Sequence, residues 1–408
     1  MVVAAAGVIA AGCGSDDSSG NKTTGNAGGD TSTMSHSMGV STTSPAADLR
    51  ITLNRLLGEH AILAQFATQK GVKGDPDFKA IAAALDANSV ETSEAIGSVY
   101  GEEAGKQFLD RDLLWRDHIG FFVDYTTGLA TKDEAAQKKA VGNLGGYTAA
   151  FSKFLSDATG IEQPALQEGI TEHVTQLKTQ LDAYNAGDFA KAYENERAAY
   201  QHMVMTGDTL AGAIVEQKSD QFDKGDTTQA AVDLRATLGT LLGEHALLAQ
   251  LATQKGYDGD KDFAEIAKAL DANSVDLSKA IGSVYGDEAG KQFLDGDKLW
   301  RDHIGFFVEY TTALAKKDAA GQKAAVDSLT AYTVAFSTFL AEATGLPQAA
   351  LQDSITEHVT QLKGQIDAYA AGDYDKAYGI AREAYTHMYM TGDTLAAAIV
   401  KQSPEKFE

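Results

Sequence analysis

The sequence predicts an all-α protein made of two tandem homologous helical bundles of about six helices each, after a disordered N-terminal tether. One observation is an internal repeat: residues 115–125 return almost letter for letter as residues 300–310, and a constant offset of 185 residues relates the two halves. A period this long indicates duplication of a whole domain, because solenoid repeats span roughly 20–50 residues. The other observation is that apolar residues recur at i, i+3 and i+4 in each half, without an alternating strand pattern.

The N-terminal residues predict export and lipid anchoring. Residues 1–12 are small and apolar, and the run Ile9-Ala10-Ala11-Gly12-Cys13 resembles the lipobox at which bacterial lipoproteins are cleaved and lipidated. The resemblance implies that residues 1–12 are a signal-peptide remnant and that Cys13 carries lipid. It also implies an extracytoplasmic protein that contacts the bacterial cell membrane through this lipid. Cys13 is the only cysteine, so no disulfide can form within the chain.

Residues 13–45 are predicted to form the lipidated flexible tether. Ser, Thr, Gly, Asp and Asn dominate this segment, which has too few large apolar residues to bury a core. Within it, Met34, His36 and Met38 bring two thioethers and an imidazole close together, and such soft ligands suit copper. We assign them as an auxiliary metal site, with chance composition of a polar tether as the alternative.

The repeat divides the remaining chain into copy 1 (residues 46–218), a linker (219–230) and copy 2 (231–403). A hydrophobic content of 44% is enough to give each copy a core. The formal net charge of -23, without any cluster of Lys and Arg, argues against a nucleic-acid partner because polyanions would be repelled over most of the surface.

Helix signals in copy 1 recur at the same offset in copy 2. Helix one is expected to end at Gly71, and Asp75-Pro76 provides an N-cap and a first-turn proline for helix two. Pro164 opens helix five, Asp188 caps helix six, and Gly207-Asp208 is a possible break in that last helix. The expected helices of copy 1 span about residues 48–70, 76–100, 110–130, 133–158, 164–187 and 188–217, with a short helical piece after Gly101.

Each copy carries four histidines, each on a different predicted helix and each on the apolar stripe of that helix. Every buried polar group left unpaired costs about 1–3 kcal/mol, so four inward imidazoles indicate a ligand that satisfies them. The alternative is core histidines bonded to carbonyls or carboxylates. The predicted metal ligands are His60, His118, His173 and His202 in copy 1, and His245, His303, His358 and His387 in copy 2.

An acidic residue precedes three of the four histidines in each copy. Such a carboxylate flanks the imidazole on the helix, so we predict that it ligates the metal directly or accepts the N–H of a ligating histidine. Ordinary charge pairing along the helix surface is the alternative. These acids are Glu59, Asp117 and Glu172 in copy 1, and Glu244, Asp302 and Glu357 in copy 2.

The predicted cofactor is a transition metal ion, with copper preferred and iron or zinc possible. Copper is preferred because the methionines after Met1 all lie close to a histidine, as Met203 and Met205 do beside His202. Two alternatives stay open, namely haem b held between histidines for electron transfer or sensing, and a non-catalytic scaffold or adhesion module with structural histidines. The duplicated body is also similar to secreted helical proteins labelled copper amine oxidase-like. That resemblance implies no activity or site residue, because amine oxidases are largely β-structure.

Overall fold

Helices account for every regular element among residues 40–408, the part of the chain that the computed structural model describes. The predicted all-α class is therefore confirmed. Each copy contributes seven helices, because the short piece after Gly101 is a separate helix. Copy 1 contains α1 (Pro45–Lys73), α2 (Phe78–Tyr100), α3 (Glu102–Asp110), α4 (Trp115–Thr131), α5 (Glu134–Thr159), α6 (Gln163–Ala186) and α7 (Phe189–Gln217). Copy 2 contains α8 (Ala230–Asp258), α9 (Phe263–Tyr285), α10 (Asp287–Asp295), α11 (Trp300–Ala315), α12 (Ala319–Thr344), α13 (Gln348–Ala370) and α14 (Tyr374–Gln402), followed by a 3-10 turn (Pro404–Lys406).

Several helix ends differ from the predicted ones. Helix α1 continues past Gly71 to Gly74, because Gly74 adopts the left-handed conformation (φ 70°) that ends it. Helix α2 begins only at Phe78, and the Asp77 carboxylate makes no cap because Lys70 binds it at 2.9 Å. Helix α7 passes through Gly207-Asp208 without a break.

Helix α12 is long and apolar enough by composition to cross a membrane. It packs against α11 and α13, as its counterpart α5 packs against α4 and α6 in copy 1. We therefore describe α12 as a bundle helix.

Helix α1 lies at the centre of the molecule. Within copy 1 it contacts α7, α2, α4 and α6, and across the copies it contacts α8. Residues 56–70 are consequently buried on every side of the helix, without an exposed face. The two copies thus pack directly against each other along α1 and α8, their equivalent central helices.

The contacts between the copies are reciprocal, as in an isologous dimer interface. Arg382 of copy 2 binds Glu59 of copy 1 through Nε–Oε1 and Nη2–Oε2 contacts of 2.9 and 3.1 Å, and Arg197 binds Glu244 in the same way. Lys70 likewise reaches the Tyr369 hydroxyl. These buried ionic contacts join the copies into one body.

A buried carboxyl group, Glu196, breaks this internal symmetry. Gln69 donates a hydrogen bond to its Oε2 at 3.0 Å, but its Oε1 has no partner among the described residues, and Ala381 is the equivalent residue in copy 2. Burial raises the pKa of Glu196 to about 8. The folded protein therefore keeps a proton here that the unfolded chain releases at a lower pH.

Replacement of Glu196 by Gln is expected to stabilise the protein at alkaline pH. The raised pKa of Glu196 contributes its full stabilisation when the pH is below the pKa of this group in the unfolded chain. The free energy of unfolding then falls as the pH rises towards about 8, because the folded protein must bury an increasingly unfavourable proton or charge at Glu196. The loss is about 1.4 kcal/mol for each pH unit between the two pKa values. Urea unfolding of Glu196→Gln and the parent chain at pH 5 and pH 8.5 measures it. Equal pH dependence of the two proteins would contradict a protonated buried Glu196.

Candidate metal centre

Three of the four predicted histidine ligands in copy 1 come together in the core. His60 from α1, His118 from α4 and His173 from α6 are 0%, 1% and 5% exposed, and one ring nitrogen of each lies within 4.8 Å of the others. Copy 2 repeats the cluster with His245, His303 and His358. Each copy therefore contains a buried histidine triad that could hold a metal ion.

The spacing within the triad is that of ligands around one ion. The Nε2 atoms of His60 and His118 are 3.3 Å apart, and the equivalent pair in copy 2 has the same separation. Two imidazole nitrogens bound at about 2.0–2.1 Å to a tetrahedral ion lie about 3.3 Å from each other. His173 needs only a small movement of its ring to complete a three-nitrogen set, because its donor atom already lies within 4.8 Å.

The ring nitrogens of the triad are largely unsatisfied by the protein. His60 Nδ1, His118 Nδ1 and both nitrogens of His173 have no hydrogen-bond partner among residues 40–408. Buried polar atoms are normally paired, and an unpaired one costs free energy. A neutral N–H···N bond between His60 and His118 accounts for two nitrogens at most, so the geometry favours a ligand at this point.

Burial also keeps these imidazoles in the protonation state that binds metals. Desolvation, together with the neighbouring histidine charges, lowers the pKa of His118 to about 3 and that of His173 to about 4, and holds the pKa of His60 well below its usual value. The equivalent histidines of copy 2 shift in the same way. The rings are neutral at neutral pH, so a metal ion would displace no proton from them.

Aromatic side chains surround the triad. The Trp115 ring lies 4.5 Å from the His60 ring between centroids, and Tyr147 of α5 stacks on His118 at 4.6 Å. Trp115 is itself fixed by an Nε1 hydrogen bond of 3.1 Å to Ser89. Sequence reasoning did not assign Tyr147 to the site, although its place on the apolar stripe of α5 was a signal for burial. These rings pack against the imidazoles and hold them in place.

The fourth predicted ligand does not join the triad in either copy. His202 donates its Nε2–H to the Gly169 carbonyl at 2.9 Å, and His387 donates its Nε2–H to the Ser354 carbonyl at 3.0 Å. Both rings are partly exposed, and the carbonyls already satisfy their Nε2 atoms. The predicted four-histidine set is therefore corrected to three histidines in each copy.

The acidic residues of copy 1 also lie elsewhere than predicted. Glu59 points towards copy 2, where it binds Arg382 and accepts a hydrogen bond from Asn88. Asp117 accepts the Leu113 N–H at 2.6 Å and so stabilises the turn before α4, and the exposed Glu172 accepts a hydrogen bond from Gln176. None of the three forms a hydrogen bond with an imidazole of the triad.

The equivalent acids of copy 2 behave in the same way. Glu244 binds Arg197 of copy 1, Asp302 accepts the Lys298 N–H, and Glu357 lies 3.8 Å from Nδ1 of His387, outside the triad. A carboxylate one position before a histidine projects about 100° away around the helix, and here that direction leads to the other copy, to a turn or to solvent.

The remaining predicted ligands divide into two groups. Met203 is buried, whereas Met205 is 64% exposed, and neither side chain belongs to the triad. The auxiliary ligands Met34, His36 and Met38 and the lipidation residue Cys13 lie outside the described residues.

Comparison with known proteins provides no further assignment of the site. The chain matches no protein-family model, no curated protein and no solved structure.

Proposed function

We propose that this chain is an extracytoplasmic, membrane-anchored protein that binds one transition metal ion, preferably copper, in each of its two helical bundles. The observation that carries the proposal is the pair of equivalent triads, in which buried neutral imidazoles face one another with most of their nitrogens unsatisfied. A metal ion satisfies several such nitrogens at once, whereas a hydrogen bond satisfies two.

The donor set restricts the choice of metal. Three imidazoles without a thiolate or carboxylate suit zinc, copper, iron and nickel, and divalent copper binds nitrogen sites most tightly in the first-row series. Two methionines beside His202 and the Met/His segment of the tether add soft donors outside the triad. These donors support copper over zinc, because thioethers favour Cu(I).

Three protein ligands leave a coordination position of a tetrahedral ion free for water or a small molecule. The His60, His118 and His173 rings would hold the ion, and the surrounding aromatic side chains would keep bulk water from it. The proposed role is binding of the metal itself, and no catalytic residue is assigned.

The proposed location rests on the sequence before the folded body. The lipobox-like run ending at Cys13 and the polar segment after it support a lipid anchor and a flexible spacer. The membrane is therefore the proposed partner through the N-terminal lipid.

Metal analysis and visible spectroscopy of the purified full chain test the proposed cofactor. We expect about two metal ions per chain, one for each triad, and no Soret band. A strong Soret band would instead identify haem b between the histidines. Absence of metal and of colour, even after reconstitution with copper, zinc or iron, would overturn the proposal in favour of a scaffold with structural histidines.

A further inference from the structure

An apolar cavity of about 240 Å³ lies beside the triad of copy 1. The ring of His173 forms part of its wall, together with Trp115 and apolar side chains from α1, α3, α5, α6 and α7. Met205 also lines the cavity and is 64% exposed, so the cavity reaches the protein surface beside this side chain. The space therefore connects the surface with a histidine of the triad.

The equivalent space in copy 2 is filled by larger side chains and has a volume of about 50 Å³. Two of the wall positions differ between the copies: Thr92 corresponds to Leu277, and Gly169 corresponds to Ser354. A Cβ added at Gly169 would meet no atom within 4 Å, so the backbone there does not require glycine. The small residues of copy 1 leave a space open. Copy 2 shows that the same fold can fill this space with larger side chains.

The wall of the copy 1 cavity restricts the chemistry of a ligand. The hydroxyls of Thr92, Thr206 and Thr209 donate hydrogen bonds to carbonyls within their own helices, at 2.9–3.0 Å. The two ring nitrogens of His173 have no partner among the described residues. The cavity thus offers a mainly apolar surface that includes the unsatisfied ring nitrogens of His173.

We propose that the cavity of copy 1 binds a small uncharged aromatic molecule whose single hydrogen-bonding group faces His173, and that the filled space of copy 2 does not. Apolar cavities of about 150 Å³ bind benzene, so about 240 Å³ accepts a ring with a substituent. The inference goes beyond the proposed metal function, because it concerns a different occupant and holds for the metal-free protein.

A second cavity, of about 210 Å³, lies on the other side of the copy 2 triad beside His245 and His303. Its wall has the same residue types as the equivalent space of copy 1, where the volume is about 40 Å³. No amino-acid difference distinguishes the copies there. The proposed binding site is therefore only the cavity whose wall contains the small residues Thr92 and Gly169.

The two tryptophans of the chain permit a test of each copy separately, because Trp115 lines the copy 1 cavity and Trp300 lines its filled counterpart. The probe is 4-bromophenol, a small aromatic with one hydroxyl and a heavy atom that quenches tryptophan. Emission lifetimes are recorded on the chelator-treated full chain. In Trp300→Phe, we expect saturable shortening of the Trp115 lifetime. In Trp115→Phe, the Trp300 lifetime should respond at least tenfold more weakly.

Exchange of the two wall positions provides the matched control. In the Trp300→Phe background, Thr92→Leu with Gly169→Ser should weaken quenching at least tenfold. In the Trp115→Phe background, Leu277→Thr with Ser354→Gly should create quenching of Trp300. Misfolding could explain a loss of quenching in the first double variant, but it could not explain this gain. Equal responses of the two tryptophans, or responses unaffected by either exchange, would overturn the inference. Because the lifetimes are recorded on the metal-free chain, the result does not depend on whether the triads bind metal, which is measured separately.

Discussion

The double substitution His118→Ala with His303→Ala is expected to reduce metal binding from about two ions per chain to none, with little change in helicity. Each change removes one of the three donors of a triad. The donor removed is the Nε2 atom that lies 3.3 Å from the Nε2 atom of His60 or His245, so the ion keeps only two imidazoles. The helices remain because each is held by packing over its whole length. Metal analysis after dialysis measures the first effect, and far-UV circular dichroism measures the second.

The matched control is His202→Ala with His387→Ala. These histidines belong to the same copies but bond to main-chain carbonyls outside the triads, so the variant should retain about two ions. Full metal binding by the His118/His303 variant would exclude the triads as the metal centres. Loss of metal in the control variant would instead restore the predicted four-histidine set.

The second large effect is expected at the interface between the copies. Replacement of Arg382 by Ala should destabilise the protein by about 3–5 kcal/mol, because it leaves the fully buried Glu59 carboxylate without its countercharge. Arg197→Ala should cost a similar amount through the equivalent Glu244. Urea unfolding monitored by circular dichroism measures the free energy of unfolding of each variant.

Two controls identify the cause of that loss. Lys153→Ala breaks an exposed ion pair with Asp157 and should change the free energy of unfolding by at most about 1 kcal/mol. The double change Glu59→Gln with Arg382→Met removes both charges and should recover much of the stability that Arg382→Ala loses. A loss below about 1 kcal/mol in Arg382→Ala, or no recovery in the double variant, would contradict the buried ion pair.

Helical periodicity was sufficient to predict the fold class and the inward direction of three histidines in each copy. His60, His118 and His173 all lie on apolar stripes, and a residue on such a stripe faces the core whatever the details of packing. The 185-residue repeat made the prediction stronger, since the same pattern occurs twice. Local sequence therefore contains the information that brings the triad together.

The role of Glu59 could not be predicted from one stripe, because α1 is buried on every side at this point. Its stripe faces the triad, whereas the side with Glu59 faces Arg382 of the other copy. The run of residues 56–67 is apolar almost all round the helix, and such a helix is normally buried on every face. That signal could have indicated that the two copies pack together.

His202 was misplaced for a different reason. The stripe of α7 is interrupted by Asn195, which is partly exposed and donates a hydrogen bond to the Lys191 carbonyl of its own helix. An interrupted stripe places a residue near the core boundary, where a main-chain carbonyl such as that of Gly169 can satisfy an imidazole. Such tertiary hydrogen bonds depend on how two helices dock, which spacing along one helix does not specify.

Anomalous diffraction from crystals of the copper-loaded full chain tests the metal centres most directly. The account predicts two copper peaks per chain, each about 2.0–2.1 Å from one ring nitrogen of three histidines. One set is His60, His118 and His173, and the other is His245, His303 and His358. Peaks at other residues, or triads without a peak in crystals grown with excess copper, would contradict it.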